Sequence, residues 1–235
     1  MQDLPASFGL AFGLIARADP DLVAIVGLSL QVSLSAVGLA CLIGFPIGAA
    51  LAVTRFPGRA TLLVLLNTLM GFPPVVVGLL LYLLLSNAGP LGFLRLLYTP
   101  AAMVLAQAVL VTPIVAALTR QVIQDLHREY DEQLRSLGVG GTGLVGTLLW
   151  DARYSLLTVA LAGFGRAIAE VGAVLIVGGN INHVTRVMTT TIALETARGN
   201  LALALALGLI LMALAALVNA AVMAVRATTA WTAHA

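Results

Sequence analysis

Long apolar runs separated by short polar segments dominate the chain and determine its predicted elements. A helix that crosses a bilayer needs about 20 mostly apolar residues, because the hydrocarbon layer is roughly 30 Å thick. Five runs satisfy this requirement: 25–53, 62–85, 100–122, 154–177 and 201–225. The pattern therefore predicts an all-α integral membrane protein with five spans, forming a single transmembrane domain over residues 1–235. The apolar run 8–15 is too short for a sixth span and lacks the basic start of a signal peptide, so we expect a retained amphipathic lead-in.

The stretch 125–151 interrupts the apolar pattern with charged residues. Its apolar residues fall at helical spacing, with the charged side chains on the other faces, which is typical of an amphipathic helix. The apolar positions are Leu126, Tyr130, Leu134 and Leu137. Gly138 is expected to end this helix, because glycine adopts the left-handed conformation without a steric penalty. The glycines that follow, through Gly143, are expected to keep the chain bent until Leu144.

Composition agrees with a membrane protein and excludes several other classes. Hydrophobic residues make up 60% of the chain and charged residues 9%, against roughly 25% charged in soluble domains. All twelve basic residues are arginine, so the chain lacks the lysine that an ATP-binding Walker A loop requires. The arginines are spread thinly, which argues against nucleic-acid binding. The single cysteine, Cys41, excludes an internal disulfide and a cysteine metal cluster, and we expect no cofactor or metal.

Arginine placement predicts the orientation, because basic residues near span ends favour the cytoplasmic side. With 125–151 in the cytoplasm, seven arginines lie inside and four outside. The inside set is Arg55, Arg59, Arg120, Arg128, Arg135, Arg153 and Arg226, and the outside set is Arg17, Arg95, Arg186 and Arg198. The amino terminus is therefore predicted outside and the carboxy terminus inside.

The fourth predicted span carries two charges, Arg166 and Glu170. In a continuous helix this i, i+4 spacing places both on one face. Each would cost about 2.5–3.5 kcal/mol at the bilayer centre if it faced lipid, so both should face protein or water. Two interpretations stay open, an ion pair that locks the helix to its neighbours or a polar lining of a transport path. Small residues that include Gly165 and Gly172 predict a face that another helix can approach closely.

The spacing Glu132-Gln133-Leu134-x3-Gly138-x9-Leu148 resembles the cytoplasmic coupling motif of bacterial ABC importer permeases, E-A-A-x3-G-x9-I-x-L-P. Here Gln133 and Leu134 replace two alanines, and Trp150-Asp151 stands where Leu-Pro is usual. The resemblance implies a five-span type I permease core with a cytoplasmic coupling helix. The ATPase-coupling residues that it implies are Glu132, Gln133, Leu134, Leu137, Gly138 and Leu148.

The run 163–173 is similar to the fourth-helix signature of the molybdate, sulfate and tungstate permeases, and 177–196 is similar to the tungstate type. This resemblance implies a non-catalytic permease subunit of an ATP-driven oxyanion importer in the bacterial inner membrane, with tungstate as the substrate and molybdate or sulfate as alternatives. The implied partners are an ABC ATPase subunit, an extracytoplasmic oxyanion-binding protein and a second copy of the chain. A secondary transporter is the less favoured class, because we find no internal repeat and no carboxylate-rich site within the spans.

The segment between the last two predicted spans contains His183, Arg186 and three successive threonines, 189–191. The threonines are interpreted as an ordinary helix start or, less favourably, as a gate beneath a docked receptor. Gly178 and Gly179 would supply flexibility to a gate, as they would to any loop. A single loop histidine does not predict a metal site.

Overall fold

The computed structural model describes residues 4–54, 56–136 and 141–232, with side chains described over 6–54, 56–130 and 143–225. Over these ranges the chain is helical and contains no strand. The helices are α1 (Leu4–Ala16), α2 (Pro20–Val53), α3 (Arg59–Met70), α4 (Pro74–Leu85), α5 (Pro100–Ser136), α6 (Gly141–Asp151), α7 (Arg153–Ile168), α8 (Gly172–Gly178), α9 (Met188–Arg198) and α10 (Leu201–Thr232). A short 3-10 helix, Gly92–Leu94, lies between α4 and α5.

Three helices, α2, α5 and α10, are individually long and apolar enough to cross a membrane. The pairs α3–α4 and α6–α7 meet the same criterion as bent spans, which gives up to five crossings in the described chain. The predicted first, third and fifth spans are therefore confirmed. The predicted second span is broken before Pro73 and Pro74, where the absence of two backbone donors favours a helix end and a new start.

The prediction that the fourth span forms one continuous helix over 154–177 is wrong. The span is divided into α7 and α8 at residues 169–171, and α7 is preceded by a bend of 74° from α6. Hydropathy does not register the break at 169–171, because mostly apolar residues lie on both sides of it, whereas the bend before α7 lies between the charged residues Asp151 and Arg153. Arg166 and Glu170 therefore do not share one continuous helix, since α7 ends at Ile168, and their location on one common face stays a prediction.

Described by backbone contacts, the chain forms two compact units. The first unit contains Met1–Ala36, Pro73–Gln107 and Ala167–Leu217, and the second contains Val37–Phe72, Ala108–Arg166 and Val218–Ala235. In the first unit, α4 and α8 pack closely through glycines. A Cβ added at Gly78 would lie 2.8 Å from Ala173 Cα, and one at Gly172 would lie 2.8 Å from Val75 Cγ2. Close packing through small residues is the usual way in which membrane helices associate.

In the second unit, α2 packs against α5 through Gly44 and Gly48, four residues apart. A Cβ added at Gly44 would lie 2.8 Å from Val115 Cγ1, and one at Gly48 would lie 2.8 Å from Thr119 Cβ. The same unit contains an apolar cluster in which α2, α5, α6 and α7 meet, with Ala49, Ile123, Leu148, Ala152 and Leu156 among its buried members. This cluster forms the interior around the bend between α6 and α7.

Candidate functional site

The predicted coupling segment is the continuation of the third span. Helix α5 runs without interruption from Pro100 to Ser136, so Glu132, Gln133 and Leu134 lie on its last turns. Leu126 and Tyr130 are half-buried and Arg128 is exposed, which agrees with the predicted amphipathic pattern. The side chains of 131–142, and Leu137 and Gly138 altogether, lie outside the described residues.

The predicted bend through Gly143 is wrong, because α6 begins at Gly141 and therefore includes Gly143. The apolar face of α6 accounts for the early start of the helix. Leu144 is 8% exposed and Leu148 1% exposed, both within the apolar cluster of the second unit. The hydroxyl of Thr147 also donates to Gly143 O at 3.0 Å, a bond made within the helix.

The bend at Ala152, between α6 and α7, is surrounded by apolar side chains, and we call it the apolar joint together with Leu148 and Leu156. Ala152 is 5% exposed. The backbone hydrogen bonds continue through it, since Ala152 N donates to Leu148 O at 2.9 Å and Leu156 N donates to Ala152 O at 2.8 Å. Next to the joint, exposed aromatic rings contact a cation. The Arg153 guanidinium lies 5.3 Å from the Trp150 ring centroid and 4.7 Å from that of Tyr154.

The break at residues 169–171 is stabilised instead by buried polar groups. We define the polar joint as this break together with the side chains of Gln107, Glu170 and Thr189. The Gln107 amide Nε2 donates to Ala167 O at 3.0 Å, which satisfies a carbonyl at the end of α7. The Thr189 hydroxyl donates to Glu170 O at 2.8 Å. Both bonds connect the break to side chains from other helices of the same unit.

The Glu170 side chain accepts a hydrogen bond from the first turn of α8. Its carboxylate Oε1 accepts a hydrogen bond from Ala173 N at 3.2 Å, and the residue is 4% exposed. A carboxylate at a helix N-terminus satisfies an otherwise unpaired donor and interacts favourably with the helix dipole. Of the other predicted candidates, Arg166 lies half-buried in the last turn of α7, and Gly172 begins α8 against Val75. At Gly165 a Cβ would meet only Val218 Cγ1, at 3.9 Å, so this glycine leaves room for a side chain.

The interpretation of 189–191 as a helix start is confirmed, because α9 begins at Met188. Thr190 Oγ1 accepts from Val187 N at 3.2 Å and donates to Asn180 Oδ1 at 2.9 Å. Thr185 Oγ1 donates to Gly178 O at 2.6 Å and accepts from Ile181 N at 2.9 Å. The loop before α9 is therefore stabilised by hydrogen bonds from its own side chains.

At the edge of this loop, a cavity of about 100 Å³ lies between the start of α2 and residues 182–186. Asp21, His183 and Arg186 provide its charged and titratable lining. His183 Nδ1 lies 4.0 Å from Asp21 Oδ1, and both side chains are largely exposed. Within the described ranges, no three histidine, cysteine, aspartate or glutamate residues are grouped so that they could hold a metal ion.

These features define a multi-pass helical membrane protein in which two joints flank α7 and a polar loop connects α8 to α9. Residues 44–229 match the model of the family described as the binding-protein-dependent transport system inner membrane component, and the chain belongs to that family. Membership implies an ABC transporter in which this chain is the permease subunit, a kind of subunit that is not itself catalytic, alongside an ATPase and a binding protein.

Three similar proteins illustrate the range of relatives. A "Probable anion ABC transporter permease protein" from Haloferax volcanii is 42% identical over 204 residues, 85% of this chain and 88% of that protein. The "Tungstate uptake system permease protein TupB" from Peptoclostridium acidaminophilum is 37% identical over 222 residues, 94% of this chain and 97% of the relative. The "Sulfate transport system permease protein CysW" from Escherichia coli K12 is 31% identical over 175 residues, 72% and 60% respectively.

Proposed function

We propose that this chain is the membrane-spanning subunit of an ATP-driven importer of tetrahedral oxyanions and that its substrate is tungstate. The observation that carries the proposal is the 37% identity to a tungstate uptake permease along 94% of this chain. The relative from Haloferax volcanii, whose name specifies only an anion, agrees with the broader class. The similarity to a sulfate permease is lower and covers less of the chain, which makes sulfate the second candidate.

Deletion of this chain in its host, followed by tungsten, molybdenum and sulfur uptake measurements from low external concentrations, tests the substrate. We expect tungsten accumulation to fall sharply and to recover when the chain is restored, with molybdenum and sulfur less affected. Unchanged tungsten accumulation with a loss of sulfate uptake would replace tungstate by sulfate. Unchanged accumulation of all three would contradict an oxyanion importer.

The proposed assembly contains two copies of this chain, which together form the path, two ATPase subunits and an extracytoplasmic receptor that delivers the anion. Residues 1–235 form one transmembrane domain in this proposal, with the amino terminus outside and the carboxy terminus in the cytoplasm. Cysteines introduced at Ser136 and Asn182 test the orientation in whole cells. A membrane-impermeant thiol reagent should label the cysteine at 182 and not the one at 136, and the reverse result would invert the topology.

Coupling is proposed to run through the end of α5 and the start of α6, at Glu132, Gln133, Leu134, Leu137, Gly138 and Leu148. Closure of the ATPases would press on this segment and tilt the spans that follow it. Gly138→Asp is expected to abolish co-purification of the ATPase, because a side chain resists the left-handed turn that the glycine is proposed to make. Normal ATPase association and transport in this variant would contradict the coupling assignment.

Arg166 and Glu170 are proposed either to line the path or to fix the packing of the fourth span. Glu170→Gln separates these roles, because the amide oxygen can still accept from Ala173 N while the charge is lost. Reduced uptake by a correctly assembled transporter would assign Glu170 to the path. Normal uptake together with normal assembly would assign it to helix capping and packing.

A further inference from the structure

Arg186 is a cation without a partner among the described residues. Its Nε is buried and donates no hydrogen bond, and no carboxylate of the described chain forms an ion pair with its guanidinium. A buried polar donor left unpaired destabilises the protein, and more so when it is charged. Such a group is expected to receive its acceptor from outside the chain.

The cavity beside Arg186 has the size of one small polyatomic ion. Its volume is about 100 Å³, which is well above the minimum that one water molecule needs. Ile25 and Leu28 of α2 contribute apolar lining, and His183 and Arg186 contribute the lining from the loop. A guanidinium presents several donors in a planar fork, the geometry that suits two oxygens of a carboxylate, phosphate or similar oxyanion.

We propose that this cavity binds a tetrahedral oxyanion, with Arg186 as the principal ligand. The proposal rests on the proposed function only for the direction of transport, since the predicted outside location of Arg186 makes the cavity a site of entry. Binding of the anion itself is an independent property of the chain. The small volume of the cavity favours a free anion as its occupant.

The charges around the cavity favour a low affinity for the anion. Asp21 opposes an anion, but its carboxylate lies 4.0 Å from His183 Nδ1, so the two groups can interact with each other and leave the guanidinium to the ligand. Asp19 Oδ1 already accepts from Asp21 N and Leu22 N, which removes the first donors of α2 from the site. A site on a transport path must bind strongly enough to capture its ion and weakly enough to release it.

The loop holds Arg186 in place before any ligand arrives. Thr185 is fixed to Gly178 O at 2.6 Å, and Met188 N donates to Ser29 Oγ of α2 at 2.8 Å. Arg186 therefore lies between two anchored residues, one of which is bonded to the helix that forms the far wall of the cavity. Such preorganisation lowers the entropic cost of binding a small ligand.

The test measures binding of sodium tungstate to the purified permease complex without its receptor, by calorimetry and by protection of Arg186 from phenylglyoxal, read at that residue by mass spectrometry. Tungstate should protect Arg186, whereas chloride at the same ionic strength should not. Arg186→Gln should weaken tungstate binding by at least about tenfold, and Arg186→Lys by less, because lysine keeps the charge without the fork. The control is Arg95→Gln, which removes an exposed arginine remote in sequence from the cavity and should leave binding unchanged.

A second variant is expected to raise tungstate affinity instead of lowering it. Such a gain cannot be explained by a loss of folding. Asp21→Asn should tighten tungstate binding several-fold, because it removes the repelling carboxylate. Equal weakening by Arg95→Gln and Arg186→Gln, no change with Asp21→Asn, or a requirement for Arg186 only in receptor docking would each overturn the proposal. Tungsten uptake without tungstate protection of Arg186 would reject this site and keep the proposed function, whereas protection without uptake would do the reverse.

Discussion

The two joints that flank α7 are made from different interactions. At the apolar joint, α6 and α7 meet at 74° around buried Ala152, with Leu148 and Leu156 on either side and backbone hydrogen bonds that continue through the bend. At the polar joint, α7 ends and α8 begins, and the break is held by side-chain hydrogen bonds from Gln107 and Thr189 and by the Glu170 cap. One joint depends on packing and the other on directional bonds.

This difference predicts different mechanical behaviour. Apolar packing is non-directional, so small rotations of α6 against its neighbours change the contact energy gradually. A hydrogen bond weakens steeply when its angle departs from linearity, and therefore favours one geometry of the break. We infer that the apolar joint adjusts to movement, while the polar joint is either intact or broken.

The largest effect is expected from Leu148→Ala, which removes packing at the apolar joint. Leu148 is 1% exposed, and truncation of such a leucine costs roughly 2–5 kcal/mol because a cavity is left behind. Leu157→Ala on α7, where the side chain is 47% exposed, is the matched control and should cost little. Thermal unfolding of the purified complex measures both. Loss of ATPase association in Leu148→Ala with unchanged stability would mean instead that this leucine contacts the partner.

An intermediate effect is expected from Gly172→Ala, at the first residue of α8. The added Cβ would lie 2.8 Å from Val75 Cγ2, and overpacking of this kind costs about 1–3 kcal/mol. Gly146→Ala, near the apolar joint, is the control because its Cβ would meet no other atom within 4 Å. The two variants should differ in the yield of assembled complex. Equal yields would show that the contact between α4 and α8 relaxes without cost.

The origin of each joint explains how much of the fold was predictable from sequence. Three long spans, the break at Pro73 and the helix start at Met188 follow from local patterns, and so could be predicted. The polar joint could not, because Gln107 bonds to a carbonyl 60 residues away and Thr189 to one 19 residues away. Within an apolar run, a break that is stabilised by distant partners leaves no signal in hydropathy.

The candidate sites divide in the same way. The proposed coupling segment was identified from its residue spacing, although most of its side chains lie outside the described residues. The cavity at Arg186 could not be assembled from sequence, because Asp21 and His183 are far apart along the chain and meet only through the fold. The one local signal was the arginine itself, which is predicted to lie outside, and arginine placement alone indicates orientation and not binding.

The smallest effect, and the most direct comparison of the two joints, is expected from replacing threonine by valine, which keeps the shape and removes the hydroxyl. Thr189 is 7% exposed and donates to Glu170 O at 2.8 Å, so Thr189→Val removes one hydrogen bond, whose net contribution to stability is about 0.5–1.5 kcal/mol. Thr147→Val, near the apolar joint, removes an exposed bond to Gly143 O made within one helix and should cost almost nothing.

Because the polar joint is expected to be either intact or broken, Thr189→Val should reduce transport more than its small loss of stability alone would predict. We expect ATP hydrolysis to continue while the number of anions imported per ATP falls, since a loosened break would no longer transmit the tilt of α7 to α8. Parallel measurements of ATP hydrolysis and uptake in proteoliposomes, with Thr147→Val as the reference, provide this ratio. An unchanged ratio in Thr189→Val would mean that the polar joint fixes the structure without taking part in coupling, and that the distinction between the two joints is one of stability alone.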